Sequence, residues 1–494
     1  MPPSGLPSAR AALAPVATGL LLSVATSVAT AQSASSAAAS APRRAPAGAP
    51  AVAFIDVNVI PMDRQRVVAG QTVIVRGDRI EAVGPTRGTG IPAGAVRIDG
   101  RGKYLMPGLA EMHAHVLPAQ AQGNADERLN RDIFFLYIAN GITTIRAMLG
   151  APNQLVLRDR LAANELLGPT MYVAAPSLNG NSAPNPDTAA KLVRAHKAAG
   201  YDLLKIHPGL SRETYDAIVA TAREVSITWA GHVPQAVGLR HAIAARQSTI
   251  DHMDGYLEAS VPETTAVRLQ GGGATLADLI RNVDESRFGE LARLSRAAGV
   301  WNVPTAALWE NLFDRTSPEE LARRPENRYV PRQTVVTWTN TKRNRINQDA
   351  QQGVTPELAA QFMTARRRML KALGDAGAPL LMGTDSPQLF SVPGFSLHRE
   401  LSLAVSAGLT PYQVLESGTK NVGRYAAEEL KLDGRFGTVA VGSRADLVLL
   451  DANPLDDVGN LTRRAGVMVR GRWVSADELR TGLEELAARY AAAP

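Results

Sequence analysis

Five short stretches of the chain carry residue types able to bind a cation or move a proton. Met112-His113-Ala114-His115 sets two imidazoles one residue apart. Side chains alternate along a strand, so His113 and His115 face the same way and can grip one cation. Lys205 sits in the apolar run Leu203-Leu204-Lys205-Ile206. It reads either as a strand-end lysine reaching solvent or, carbamylated by CO2, as a two-oxygen anion able to bridge two cations. His232 follows Ile227-Thr228-Trp229-Ala230-Gly231, and His252 ends Ser248-Thr249-Ile250-Asp251-His252. Each alone suits a hydrogen-bonded structural histidine, but they recur at successive strand ends. Asp385 follows Gly383-Thr384, where glycine allows close backbone approach. It is a candidate ligand and proton carrier, or the N-cap of the next helix. Four imidazoles, an amine and a carboxylate, with no thiolate, suit Zn2+, with Mn2+, Co2+ or Fe2+ as alternatives. Of the other histidines, His207 reads as a loop residue or a substrate contact, and His196 and His241 as helix surface.

These residues need a frame that brings distant strand ends together. Between residues 107 and 431 an apolar strand, a polar loop and an amphipathic helix alternate repeatedly. The strand candidates are Leu109 to His113, Thr143 to Ala147, Met171 to Ala174, Leu203 to Ile206, Ile227 to Ala230, Thr249 to Ile250, Trp301 to Val303 and Leu380 to Met382. Eight strands alternating with helices predict a (β/α)8 TIM-type barrel, with reactive groups at the C-terminal strand ends. A polar, Arg- and Asn-rich stretch from Glu326 to Gly353 predicts a helical excursion before the eighth strand. Residues 51–106 hold short β-rich runs, including a hairpin turning at Gly77-Asp78. Residues 432–494 have the same texture, with strands expected at Gly437 to Val441, Asp446 to Asp451 and Val467 to Val474, then a closing helix from Asp477 to Ala492. The expected class is α/β: a barrel inserted in a small β-sandwich built by both chain ends.

Composition narrows the function. The chain has 494 residues, 45% hydrophobic and 20% charged, which suits a globular protein with a large core. With no cysteine, disulfides, thiolate metal sites, iron–sulfur clusters and thiol nucleophiles are excluded. Lys+Arg number 53 against 46 Asp+Glu, and the excess of 7 is carried by scattered arginines. No basic stripe with interleaved aromatics points to nucleic acid, and no basic amphipathic segment points to a membrane. Residues 1–31 read as an export signal: Arg10, an apolar Ala11 to Val28, and a small-residue cleavage site at Ala29-Thr30-Ala31. The run is too rich in Ala, Ser and Thr for an anchor of ~20 strongly apolar residues. Residues 32–50 read as a flexible linker, and the mature protein is expected to be soluble and periplasmic or secreted.

The stretches Pro107-Gly108-Leu109-Ala110-Glu111-Met112-His113-Ala114-His115, Gly141-Ile142-Thr143-Thr144-Ile145-Arg146, Lys205, Gly231-His232, Ile250-Asp251-His252 and Gly383-Thr384-Asp385 together resemble the amidohydrolase superfamily. So does the tail Gly442-Ser443-Arg444-Ala445-Asp446 through Leu455. The likeness spans roughly residues 51–475 and is nearest the imidazolonepropionase-like and prolidase-like branch with secreted bacterial members. It implies that His113, His115 and Asp385 bind a more buried cation, His232 and His252 a more exposed one, and carbamylated Lys205 both. Without the carbamate the centre would be mononuclear. Ala147 departs from relatives that carry an acidic or amide residue there.

The resemblance further implies hydrolysis of a C–N bond. Two cations ~3.5–4 Å apart share a hydroxide that attacks a carbonyl. Asp385 passes the proton to the leaving nitrogen. A dipeptide or N-acyl amino acid is the expected small-molecule substrate. Arg146 and Tyr256 are candidates for its carboxylate, since an Arg fork binds one bidentately; a surface ion pair and a packing tyrosine are the other readings. His398 and Glu400 are candidate pocket residues, and Trp301, Trp309 and Trp338 a candidate apolar wall. A lactonase or phosphotriesterase-like esterase would use the same residues. A non-catalytic binding barrel would be free to lose ligands, and none of the six is missing. A homo-oligomer is left open.

Overall fold

A computed structural model describes residues 50–118, 125–263, 265 and 275–492. The signal at 1–31 and all but the last residue of the expected linker lie outside the described residues.

Both chain ends enter one eight-stranded sheet. Its strands are β1 (Val52–Val59), β2 (Val68–Arg76), β3 (Arg79–Pro85), β4 (Val96–Asp99) and β5 (Tyr104–Pro107) from one end. The other end gives β13 (Leu447–Leu450), β14 (Arg464–Val469) and β15 (Arg472–Ser475). The order is β15-β14-β13-β5-β1-β2-β3, with β4 beside β1. The seam between the ends is β5 against β13, antiparallel, with Leu105 opposite Leu449. Phe54, Val73 and Leu105 from one end pack in a single apolar cluster with Leu447, Leu449 and Met468 from the other. The Gly77-Asp78 hairpin is present, with Arg76 paired to Arg79. The strand expected at Gly437 to Val441 does not form. Left-handed Gly437 and Gly442 bend the chain at both ends of that run, so Val439 reaches only Pro61.

The middle of the chain folds as parallel strands with helices between them. One sheet runs β6 (Leu109–Ala114), β7 (Ile142–Ala147), β8 (Thr170–Val173). A second runs β9 (Leu203–Ile206), β10 (Thr228–Gly231), β11 (Thr249–Asp251), β12 (Trp301–Val303). β6, β7 and β9 are buried at every residue, as expected of parallel strands covered on both faces. The helices start where the sequence supplies caps. Asn185, Ser211 and Thr355 accept from the backbone N–H of Thr188, Thr214 and Leu358. The polar 326–353 stretch is mostly the helix Arg332–Gln351, and the chain closes on the helix Ala476–Ala492.

Residues 380–386 form no regular strand, contrary to the eighth strand expected there. They make single parallel bridges, Leu380 to Asn302 of β12 and Ser386 to Ala114 of β6. Similar bridges join Ala174 to Leu203 and Leu178 to Ile206, between the edges of the two sheets. The segment still bonds both neighbours, Leu381 N–H to Asn302 O of β12 and Asp385 N–H to His113 O of β6, but Met382 N–H turns to Ser417 O and Thr384 N–H to the Glu111 carboxylate, which interrupts the regular ladder. Among the described residues, no helix is long and apolar enough to cross a membrane.

Candidate metal centre

The six residues expected as ligands come together. His113 lies in β6, with His115 just beyond it; Lys205 lies in β9; His232 and His252 directly follow β10 and β11; Asp385 lies in the 380–386 segment. All sit at the C-terminal ends of parallel elements. His115 Nε2 and Asp385 Oδ1 are in direct contact. Lys205 Nζ is 3.3 Å from His113 Nε2, which is 3.5 Å from Asp385 Oδ1. His252 Nε2 is 3.9 Å from Asp385 Oδ2. The His252 ring centre is 4.5 Å from those of both His113 and His232. One donor atom each from His113, His252 and Asp385 falls within 4.8 Å of the others.

Close packing of backbones makes this possible. A Cβ on Gly383 would lie 2.7 Å from His113 N and 2.6 Å from Val303 Cγ1. A Cβ on Gly231 (φ 121°) would lie 2.6 Å from Ile206 O and 3.0 Å from Lys205 Cδ. His252, Thr305 and Asp385 are non-glycine residues at φ of 62°, 48° and 63°. Strained backbone of this kind persists only where its surroundings over-determine it, and it concentrates at functional sites.

Electrostatics favours neutral nitrogen donors. Burial, seconded by the Lys205 charge, holds His113 and His232 well below the usual histidine range. Burial, then His113, does the same for His252. Burial lowers Lys205, and takes His207 down to about 3. For Asp385 burial opposes ionisation, but His115, with His252 and Lys205, outweighs it and keeps the carboxyl below its usual range. The second ring nitrogens are largely spoken for. His232 Nδ1 is 2.7 Å from Asp254 Oδ2, and His252 Nδ1 is 2.9 Å from Thr305 Oγ1. His113 Nδ1 is 2.8 Å from Asp251 Oδ2, a close contact without hydrogen-bond alignment. His252 Nε2 and His115 Nδ1 are buried with no hydrogen-bond partner. Neutral imidazoles held from one side by carboxylate or hydroxyl, with lone pairs left over beside an ionised carboxylate, fit a divalent cation that accepts N and O donors.

Other expectations change. Arg146 and Tyr256, expected to meet a substrate carboxylate, are both held by internal partners. Arg146 is completely buried, and its guanidinium bonds Met112 O, Thr249 Oγ1, the Tyr425 hydroxyl and both oxygens of Asp251. Tyr256 is completely buried and donates to Asn302 Oδ1 at 2.7 Å. His398 is fixed between Asn140 O and the Arg464 guanidinium, and Glu400 on the backbone of residues 306 and 307, so neither lines the cluster. Trp301, Trp309 and Trp338 are buried: Trp301 packs edge-on to Tyr425, Trp309 beneath Arg366, Trp338 against Phe390. His207 does approach the cluster, its ring centre 4.7 Å from that of His232.

The residues missed are those that hold the histidines. Asp251 and Asp254 flank His252, so the signal was two carboxylates within two residues of a candidate ligand. Glu111 stands two before His113, on the same strand face. Its carboxylate accepts from His113 N, Thr384 N and Thr384 Oγ1, tying β6 to the Asp385 segment, and burial pushes it up to about 8.

The model of the amidohydrolase family matches residues 104–474. An imidazolonepropionase of Rubrobacter xylanophilus is 26% identical over 408 residues, which cover 77% of this chain and 84% of that protein. Among solved structures, the bottromycin amidohydrolase AH matches with a TM-score of 0.67 at 23% identity, over 89% of this chain and 90% of that one. A Xaa-Pro dipeptidase with methionine bound in its active site matches at 0.62 and 18%, over 86% and 100%. At these identities the structural likeness shows a shared mixed α/β fold.

Proposed function

We propose, for a chain that belongs to the amidohydrolase family and is a hydrolase of carbon–nitrogen bonds, that His113, His115, Lys205, His232, His252 and Asp385 hold one or two divalent cations and that the substrate is a dipeptide or N-acyl amino acid. One observation carries the metal reading: His252 uses Nδ1 on Thr305 and leaves Nε2 buried, unpartnered and facing Asp385. The reading takes β6 to β12 with residues 380–386 as one (β/α)8 barrel set into the sheet of the two chain ends. The bridges between the sheet edges support that closure. Zinc is the first choice of cation on donor type.

A bound divalent cation would lower the pKa of water toward ~7 and polarise a carbonyl. Asp385, kept ionised beside His115, accepts a proton at a carboxylate oxygen and delivers it to the leaving nitrogen. Asp251, Asp254 and Thr305 fix the rings of His113, His232 and His252. Lys205, driven toward its neutral amine by burial, is in the form that adds CO2. As a carbamate it would offer two oxygens where the amine now stands 3.3 Å from His113 Nε2. Likeness to a Xaa-Pro dipeptidase supports the dipeptide class. Export by residues 1–31 belongs to the same proposal; the mature protein is expected to begin at Gln32.

The test is turnover of dipeptides and N-acyl amino acids by zinc- or manganese-loaded protein, against matched esters and lactones. Amide turnover is expected, reduced by ~10²–10⁴-fold in Asp385→Asn. Hydrolysis of esters or lactones alone would overturn the substrate class.

A further inference from the structure

Thr305 occupies the position before the helix Ala306–Phe313 but does not cap it. A threonine there normally accepts a backbone N–H from inside the first turn through its own hydroxyl. Thr305 makes no such bond, and its backbone is left-handed, φ 48° and ψ 43°. Its Oγ1 lies 2.9 Å from His252 Nδ1 instead. The cap comes from another part of the chain. Glu400, buried on the helix Phe395–Ser406, places Oε1 2.8 Å from Ala306 N and Oε2 2.7 Å from Ala307 N. One carboxyl group thus meets two free N–H groups of the first turn. The same corner is held from a third side. Arg366 stacks on Trp309 of the capped helix, its Cζ 3.9 Å from the ring centre, and donates to His252 O.

We propose that Glu400 is a positioning residue for His252: by taking over the cap of the helix Ala306–Phe313, it frees the Thr305 hydroxyl to fix the His252 ring with Nε2 turned toward Asp385. Glu400 is hydrogen-bonded to neither His252 nor Asp385, so its effect on the ring passes through the Thr305 corner that it and Arg366 hold. A β-branched residue stays left-handed only when its neighbours hold it there, and Glu400 supplies that hold at the two following residues. The inference rests on reading His252 as a cation ligand.

The test is zinc affinity, by competition with a chromophoric chelator, on the full chain and on Thr305→Ser, Thr305→Val, Glu400→Gln, Glu400→Ala and the double variant Thr305→Val/Glu400→Ala. Lost partners of a ligating histidine typically cost ~10–100-fold in affinity. That loss is expected for Thr305→Val and Glu400→Ala, with Glu400→Gln between them and wild type and Thr305→Ser near wild type. The double variant should be no weaker than the worse single one, because the two residues act in series. Wild-type affinity in Thr305→Val or Glu400→Ala, or losses that multiply in the double variant, would overturn the proposal. If Glu400→Ala does not fold, Glu400→Gln with unchanged affinity overturns it equally. A wild-type chain that binds no zinc sinks the metal reading instead. Glu400 is then judged by 15N NMR of labelled histidine in the cation-free protein. A changed His252 tautomer in Glu400→Gln supports the role, and an unchanged one refutes it.

Discussion

Arg146 is the most heavily committed side chain behind the cluster, and replacing it by Met tests what it does. Its guanidinium, with no exposed surface, bonds Met112 O, Thr249, Tyr425 and both oxygens of Asp251, each at 2.7–3.2 Å. Asp251 in turn stands 2.8 Å from His113 Nδ1. Removing one member of a buried ion pair costs ~3–5 kcal/mol, because the remaining charge is left without compensation. The carbonyl and hydroxyls that lose a donor would each cost ~1–3 kcal/mol if left unsatisfied, but neighbouring losses do not add. The expected loss is therefore about 4 kcal/mol near neutral pH, read from urea unfolding of the cation-free protein. The pH dependence fixes the cause. In wild type, burial opposes ionisation of Asp251, but Arg146 and Lys205 outweigh it and hold the carboxyl below its usual value. That stabilisation is present above the unfolded pKa and is lost as pH falls through the lower folded one. Without Arg146 burial prevails, the folded pKa rises above the unfolded one, and the penalty for ionised Asp251 grows as pH rises. The variant's deficit should therefore be smaller at about pH 5 than at about pH 7.5. A deficit under ~1 kcal/mol, or one independent of pH, would refute a buried charge that depends on Arg146. Arg146→Lys should recover part of the loss, since it restores charge without the fork.

Gly383→Ala drives a methyl to within 2.7 Å of His113 N, so a loss of ~1–3 kcal/mol with weakened cation uptake is expected; unchanged uptake with an unchanged urea midpoint would contradict the packing. Lys205→Met should abolish any dependence of cation content on bicarbonate. Bicarbonate dependence that survives in the variant would exclude a carbamate at Lys205. Burial raises Glu400 to about 7, so its protonated form favours folding below the unfolded value near 4.5, and that advantage is lost as pH rises through about 7. Relative to Glu400→Gln, wild type should lose stability across that window and stay level above it; parallel urea midpoints would count against the shift.

Residue type and strand periodicity made the cluster residues legible, because five of the six lie at the end of short apolar runs that become parallel strands, and Asp385 ends an apolar run that bridges β6 and β12. Long-range pairing was less legible. Residues 380–386 looked like a strand from their apolar side chains. Two of their N–H groups, however, go to Ser417 O and the Glu111 carboxylate instead of a neighbouring strand, partners distant in the chain and invisible to a local pattern. Arg146 was assigned outward, to a substrate, because its type suits a carboxylate. It does bind one, but an internal one, Asp251. Tyr256, four residues after His252, was a candidate for the same substrate carboxylate or a packing tyrosine, and its hydroxyl goes to the buried Asn302. Glu400 was read as a candidate pocket residue rather than a cap, and Thr305 gave no sequence signal, since a threonine that declines to cap its own helix looks identical to one that does.

Metal content per chain, by elemental mass spectrometry on protein purified without chelator in bicarbonate, decides whether the cluster is a cation site. Two transition-metal ions per chain are expected with Lys205 carbamylated, and one with His113, His115 and Asp385 alone. None, even after reconstitution with zinc or manganese, would contradict the metal centre and with it the proposed hydrolysis.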